Sequence, residues 1–325
     1  MINAVPPTIN VLYENPAWIP PLREALEREG FRVRLVHVNE GSVDASAPPP
    51  EGIWMNRISP SSHTRGHAHT VELARQLLYW LEFHGRRVIN GLPAFELEMS
   101  KLRQDLVLRR HGIRTPRTVL AVGRDHLLGA AATFAGPFIT KHDQGGKGLG
   151  IRLFRGVAEL ERHLDGDGGA GGFDAGPGAR VILQEYVSAP EPFITRVEIV
   201  GGRFVFAMRS STADGFELCP SDVCNPMPVE TGGLFGPSPL TADDPLVQQY
   251  IRLCMEEGIE IAGIEFVEDA RGNRYTYDIN GTTNYNQALG SMMGVDGMRV
   301  VARYVRRMAG TSPRSRGRPR VAASR

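Results

Sequence analysis

The sequence predicts a mixed chain, α/β at its start and α+β beyond, on three observations. Residues 8–59 alternate strand, helix and strand. Two later segments read as antiparallel hairpins. A glycine-rich loop, "ITKHDQGGKGLGIRLF", stands between two strands rather than ahead of a helix.

The opening unit begins with a strand at 8–13. "PPLREALEREG" follows as a helix that Pro20 and Pro21 start and Gly30 ends. "FRVRLVHV" alternates like a strand, and "GIWMNRIS" is another short one. "TVELARQLLYWLEFHG" is helical, and "RRVIN" closes the unit near residue 95. In the second unit Ser100 caps the helix "SKLRQDLVLRRHGI" and Gly112 ends it. "TPRTVLAV" and "FITKH" return as strands, "GIRLF" pairs back, and "GVAELERHL" is a short helix. The third region holds "VILQEYV", the two hairpins, the helix "DPLVQQYIRLCMEEG" and a last helix, "GVDGMRVVARYVRRMA". Leu246, Val247, Tyr250, Ile251, Cys254 and Met255 recur there at helical spacing, behind an Asp244-Pro245 start.

The glycine loop carries Gly145, Gly146, Gly148 and Gly150 around Lys147. It is not a P-loop, because Gly148 stands where a Ser or Thr would hold magnesium. Nor is it a dinucleotide turn, since β-like residues follow instead of a helix. A strand–loop–strand reading leaves a phosphate-covering lid or an ordinary glycine hairpin.

The hairpin "GIEFVEDARGNRYTYDIN", turning at Arg271-Gly272, sets Glu265 opposite Asp278 with Asn280 on the same face; Ile264, Phe266, Tyr277 and Ile279 take the other. Two facing acids repel unless a cation lies between them. Two carboxylates and an amide oxygen suit magnesium, completed by substrate phosphates; a solvated face is the alternative. The hairpin "ITRVEIVGGRFVFAMR", turning at Gly201-Gly202, puts Thr195, Val197, Ile199, Phe204, Phe206 and Met208 on one face. Arg196, Glu198, Arg203 and Arg209 take the other, where Arg196 and Arg209 would meet an anion or form surface ion pairs.

The order of these motifs resembles the ATP-grasp superfamily, and its RimK-like amino-acid ligases in particular, from about residue 96 to 290. The resemblance implies an ATP-grasp fold behind an N-terminal Rossmann-like domain. The expected division is 1–95, then 96–310 (a lid-bearing 96–183 and a catalytic 184–310), then a tail at 311–325. It implies Lys101 and Lys141 as nucleotide lysines, and Gln144, Gly145, Gly146, Lys147, Gly148 and Gly150 as the lid. Gln184, Glu185, Tyr186 and Val187 would be the adenine hinge. Glu265, Asp278 and Asn280 would hold one or two magnesium ions, or manganese in their place. Arg196, Arg209 and Asn280 would act on the reacting groups. Ile194 stands where the family has an acid two residues before Arg196, so Glu191 is the substitute ribose contact. "GTTNYNQALG" replaces the family's serine-proline pattern and offers Asn284 to the substrate. The implied reaction joins a carboxylate, activated by ATP as an acylphosphate, to an amine of an amino acid or peptide, releasing ADP and phosphate. A regulatory ATP-binding protein without turnover and an ATP-dependent phosphotransferase are the alternatives.

Of the 325 residues 42% are hydrophobic and 22% charged, with net charge +1, the balance of a soluble chain. No stretch is apolar enough to span a bilayer. Cytoplasmic location, no membrane partner and no nucleic-acid partner are expected; a homo-oligomer stays open. Cys219 and Cys224 lack the second ligand pair of a zinc site, and Cys254 is a core residue. The tail carries Arg314, Arg316, Arg318, Arg320 and Arg325 and no acid, and reads as disordered. His63, His67 and His69 do not share one helix face, so polar loop contacts are preferred over a metal. Arg57 and Arg65 are weaker candidates for a substrate carboxylate.

Overall fold

The computed structural model describes residues 6–146, 148, 150–167, 174–213, 235–285 and 287–310. Lys147, Cys219, Cys224 and the basic tail lie outside them.

Three sheets carry the architecture. The first is parallel, in the order β2-β1-β3-β4. It is formed by β1 (Thr8–Tyr13), β2 (Arg32–His37), β3 (Ile53–Arg57) and β4 (Val88–Ile89), with α1 (Pro20–Arg28) and α2 (Thr70–Phe83) between them. A parallel sheet is covered on both faces, and β1 shows why: its four central residues are all buried. Ile9 and Val11 pack against Leu22 and Leu26 of α1. Leu12 packs on the other side against Ala74 and Leu78 of α2.

Two helices follow, α3 (Leu92–Glu98) and α4 (Lys101–Arg110). The cap expected at Ser100 is formed, with its hydroxyl accepting from the Arg103 N–H. The second sheet, antiparallel β5-β8-β6-β7, contains β5 (Thr118–Ala121), β6 (Phe138–His142), β7 (Arg152–Phe154) and β8 (Val181–Glu185). α5 (Arg124–Ala131) and α6 (Val157–Arg162) cover it, and Phe138, Phe154 and Leu183 meet Leu127 and Leu160. β6 and β7 pair across the glycine loop, Phe138 opposite Phe154.

The third sheet runs β11-β10-β9-β12-β13. Its strands are β9 (Phe193–Val200), β10 (Arg203–Ser211), β11 (Phe235–Pro237), β12 (Ile261–Glu268) and β13 (Arg274–Asn280). α7 (Pro245–Glu256) packs on one face, where Val247, Tyr250, Leu253 and Cys254 meet Val197, Ile199, Ile264 and Phe266. α8 (Gln287–Met292) and α9 (Gly297–Gly310) complete the described chain. α9 returns to the first sheet, placing Met298, Val301 and Val305 in one core with Ile9, Leu22 and Leu26.

The structure changes several expectations. α3 and α5 are helices that the periodicity does not announce, because each is short and its apolar positions are nearly continuous. Met255 is exposed rather than core, its place being taken by Leu253. Both hairpins carry an irregularity that reassigns faces. Between Phe204 and Phe206 the β9–β10 register slips, so Phe206 pairs with Glu198 and Arg209 with Thr195. Arg209 is thereby separated from Arg196; it is exposed, and its guanidinium lies 4.2 Å from the Phe193 ring centre. Between Glu265 and Phe266 the β12–β13 register slips too, so Phe266 pairs with Thr276. Tyr277 is thereby turned from the core face to the acids, its hydroxyl 3.2 Å from Glu265.

Asn90 joins the first sheet to the third. Its backbone is left-handed, with φ 49°, and its side chain is buried. Its amide donates to the carbonyls of Ile261 (2.7 Å) and Gly281 (2.8 Å). Its oxygen accepts from the N–H groups of Glu260 (2.9 Å) and Ile261 (3.1 Å). Its own N–H donates to the Glu260 carboxylate at 2.7 Å. Removing that side chain takes the partner from four backbone groups, three of them buried, so Asn90→Ala is expected to cost about 3 kcal/mol. Urea unfolding checks this; a loss below about 1 kcal/mol would mean that water replaces the amide.

Candidate active site

A cavity of about 350 Å³ opens where the three sheets meet. Its floor is the third sheet. The in-register pairing of β9, β12 and β13 sets Arg196, Glu265 and Asp278 side by side. The expected pairing of Glu265 with Asp278 is therefore present, and the protein itself supplies cations on both sides. Arg196 donates from Nη1 to Glu265 at 2.9 Å, and Lys101 pairs with Asp278.

The position of Lys101 follows from α4. Three residues along the same helix, Gln104 binds the backbone of Ile279 in both directions, donating to its carbonyl (3.0 Å) and accepting from its N–H (2.9 Å). β13 is the sheet edge, and Gln104 satisfies it as a neighbouring strand would. That fixes α4 against β13 and brings Lys101 onto Asp278. Asp143, just past β6, holds the start of α4 by accepting from Ser100 (2.9 Å) and the Leu102 N–H (3.1 Å).

Lys141 enters from β6 and donates to Gln184 on β8 at 2.9 Å; it also lies 5.5 Å from the Tyr277 ring centre. Burial, with the positive charge of Lys101 beside it, brings its ammonium down to about 8. Burial pushes the Glu265 carboxyl up, with Asp278 adding to it against Arg196. Burial acts the same way on Asp278, but Lys101 and Lys141 outweigh it and hold its carboxyl low. Cations thus neutralise both acids before any ligand enters.

The cavity brings together Lys101, Lys141, Gln184, Glu185, Tyr186, Val187, Arg196, Glu265, Asp278, Asn280 and Asn284, with Gly145, Gly146 and Gly148 also in its lining. Four expected residues are not in its lining. Arg209 is on the other side of β10, for the register reason above. Glu191 is exposed on the approach to β9, where Ile194 and Phe193 take the wall. Gln144 is buried beside the α4 cap, and Gly150 packs against the His142 ring, where a Cβ would lie 3.2 Å from ring atoms. Arg57 and Arg65 are also spent elsewhere. Arg57 donates to the Thr283 carbonyl (2.8 Å) and to Asn284 (2.7 Å), and Arg65 grips Glu14 through two nitrogens. Glu14 also binds His67, while His63 contacts the Pro60 carbonyl. No three His, Cys, Asp or Glu side chains among the described residues cluster as a metal site.

Sequence reading missed Trp18, Ser59 and Ser61 from the first unit, and Glu98 at the end of α3; all line the cavity. Glu98 is buried and accepts from the Thr282 N–H at 3.1 Å. Only its neighbourhood in space marks it, since an acid ending a short helix carries no motif.

Two carboxylates and an amide are the donor set that magnesium takes when phosphate oxygens and water complete its shell. Glu265, Asp278 and Asn280 fit it. Residues 99–219 match a family model, the RimK-like ATP-grasp domain. That stretch is RimK-like ATP-grasp in its sequence. A probable alpha-L-glutamate ligase of Xanthomonas euvesicatoria pv. vesicatoria is 26% identical over 257 residues, 77% of this chain and 78% of the relative. The fold is that of an ATP-grasp RimK domain protein from Sphaerobacter thermophilus, with TM-score 0.65 and 16% identity over 91% of this chain and 98% of the other. It is also that of the D-cycloserine synthetase DcsG, with TM-score 0.64 and 18% identity over 93% and 99%. In the ATP-grasp fold, then, the second and third sheets are the two jaws of the cavity. No helix of the described residues is long and apolar enough to cross a membrane.

Glu98 gives a pH signature. Burial raises its carboxyl to about 7 from an ordinary 4.5, against the Thr282 N–H and Lys101, which lower it. A raised carboxyl favours the folded state fully below pH 4.5 and loses that contribution as pH rises through 7. Glu98→Gln stays neutral throughout. Its unfolding free energy relative to wild type should therefore rise by on the order of 3 kcal/mol between pH 4.5 and 8. Parallel curves in denaturant titrations would show that Glu98 is not buried as a neutral acid.

Proposed function

We propose that the protein is an ATP-dependent carboxylate–amine ligase that forms an amide bond and releases ADP and phosphate. One observation carries this: two adjacent acids and two buried lysines share a single cavity with a glycine-loop hairpin. That combination suits phosphoryl transfer, which needs placed charge more than a protein nucleophile.

In this reading Gln184–Val187 receive the base and Lys141 takes phosphate oxygens on the α and β side. Lys101 is released from Asp278 to join it at the phosphates. Glu265, Asp278 and Asn280 hold one or two magnesium ions, which when bound supply charge neutralisation at the phosphates. The substrate carboxylate oxygen attacks the γ-phosphorus, and the bond to the ADP oxygen breaks. The amine then attacks the acyl carbon, phosphate leaves with the former carboxylate oxygen, and the nitrogen gives up its proton. Arg196 stabilises the anionic oxygens of both steps. Gly145, Gly146 and Gly148 cover the phosphates and keep water from the acylphosphate. The glutamate-ligase relative supports an amino acid or peptide as a substrate.

ADP release, followed against a panel of amino acids and peptides as acid and amine, tests the reading. Glu265→Ala and Asp278→Ala should each lower turnover at least about 100-fold. Ligation that survives both substitutions would sink the metal assignment. Lys141→Ala should weaken ATP binding about ten-fold or more, a charge-assisted contact being worth roughly 1.5–3 kcal/mol. Calorimetry that finds wild-type affinity would remove Lys141 from the nucleotide site.

A further inference from the structure

Two rows of residues cross β9, β12 and β13 on the cavity face. One is Arg196, Glu265 and Asp278; the next is Glu198, Gly263 and Asn280. Gly263 is the gap in the second row. A Cβ there would lie 2.0 Å from Nη2 and 2.4 Å from Cζ of Arg196. The guanidinium therefore lies across the glycine backbone, in the space that a side chain would fill.

It is held at two points. Nε donates to Glu198 at 2.6 Å, and Nη1 donates to Glu265 at 2.9 Å. Glu198 is fully buried, and its second oxygen has no hydrogen-bond partner among the described residues. Two acids thus share one cation, yet only Glu265 stands beside Asp278. A divalent cation taken by Glu265 and Asp278 draws Glu265 away from Arg196. Without Glu198, the buried guanidinium would be left unpaired, and it would compete with the cation for Glu265. With Glu198 it keeps its partner at Nε, and its Nη atoms become available to an anion.

We propose that Glu198 is a positioning residue: it holds Arg196 by Nε over Gly263, so that Glu265 can turn to a divalent cation while both Nη atoms serve an anionic oxygen in the cavity. This rests on the metal and ligase reading above.

Four variants of the full chain test it: Glu198→Ala, Glu198→Gln, Gly263→Ala and Arg196→Ala. The first readout is Mn2+ affinity by electron paramagnetic resonance, with a non-hydrolysable ATP analogue present. The second is ADP release, split into kcat and KM for ATP. Glu198→Ala is expected to weaken Mn2+ about ten-fold and lower kcat about 100-fold, with KM for ATP little changed. Glu198→Gln keeps an acceptor for Nε and should stay within about three-fold of wild type in metal affinity, well short of the alanine variant. Gly263→Ala pushes the guanidinium off its seat without removing Glu198 and should lower kcat about 100-fold while Mn2+ binds no more weakly than in wild type, which covers the case in which Glu198→Ala does not fold. Arg196→Ala removes the competitor, so turnover is lost while Mn2+ binds no more weakly than in wild type. Wild-type Mn2+ affinity in Glu198→Ala overturns the proposal, and so does wild-type kcat in Gly263→Ala. So does a Glu198→Gln as damaged as Glu198→Ala, which would make the effect one of charge alone. Wild-type protein that fails to bind Mn2+ overturns it as well. Wild-type protein that binds Mn2+ and never releases ADP overturns the ligase reading, and the Mn2+ comparison then decides this one.

Discussion

The cavity depends on one buried amide. Asn90 closes the first sheet onto the third by satisfying backbone groups at Glu260, Ile261 and Gly281 together. Those groups lie at the entrance to β12 and the exit from β13, the strands that carry Glu265 and Asp278. A buried backbone group without a partner is costly, so the contact is directional where apolar packing is not. It sets where the first unit stands, and hence where Trp18, Ser59 and Ser61 wall the cavity. The Arg57 contacts with Thr283 and Asn284 reinforce the same junction.

Given that frame, the chemistry of the floor follows from desolvation. Charges taken from water must be paired, and here each acid has a cation beside it: Glu198 and Glu265 share Arg196, and Asp278 has Lys101. That pairing holds the two adjacent acids together in the absence of a ligand. It also makes the site exchangeable, because cations on side chains can give way to a cation and phosphates brought together. Burial brings the Lys141 ammonium down to about 8, still mostly charged near neutral pH, and an anion beside it would hold that charge more firmly.

Much of this was legible in the chain. The Glu265–Asp278 pairing needed only a turn and an alternation, both local. The lysines, the segment Gln184–Val187 and the glycine loop were singled out by their order, and the structure brings them to one cavity. The errors also have a local cause. A single bulged residue exchanges the faces of a strand, and neither bulge, at 204–206 or at 265–266, is marked in the sequence. Arg209 was assigned to the wrong face for that reason, and Tyr277 was missed as a neighbour of Glu265. Glu191 was carried over as a substitute, but Ile194 and Phe193 occupy the wall it would have needed.

By itself the sequence determined most of the elements, the acids that face one another and the lysines that approach them, because those rest on periodicity and turn chemistry within a few residues. Only the tertiary structure decided that α9 returns to the first sheet's core and that Glu98 lines the site. It alone decided, too, that Glu198 and Glu265 share Arg196 across the space left by Gly263. Those relations join residues far apart in the chain, and they are set by volume and by the pairing of buried charge.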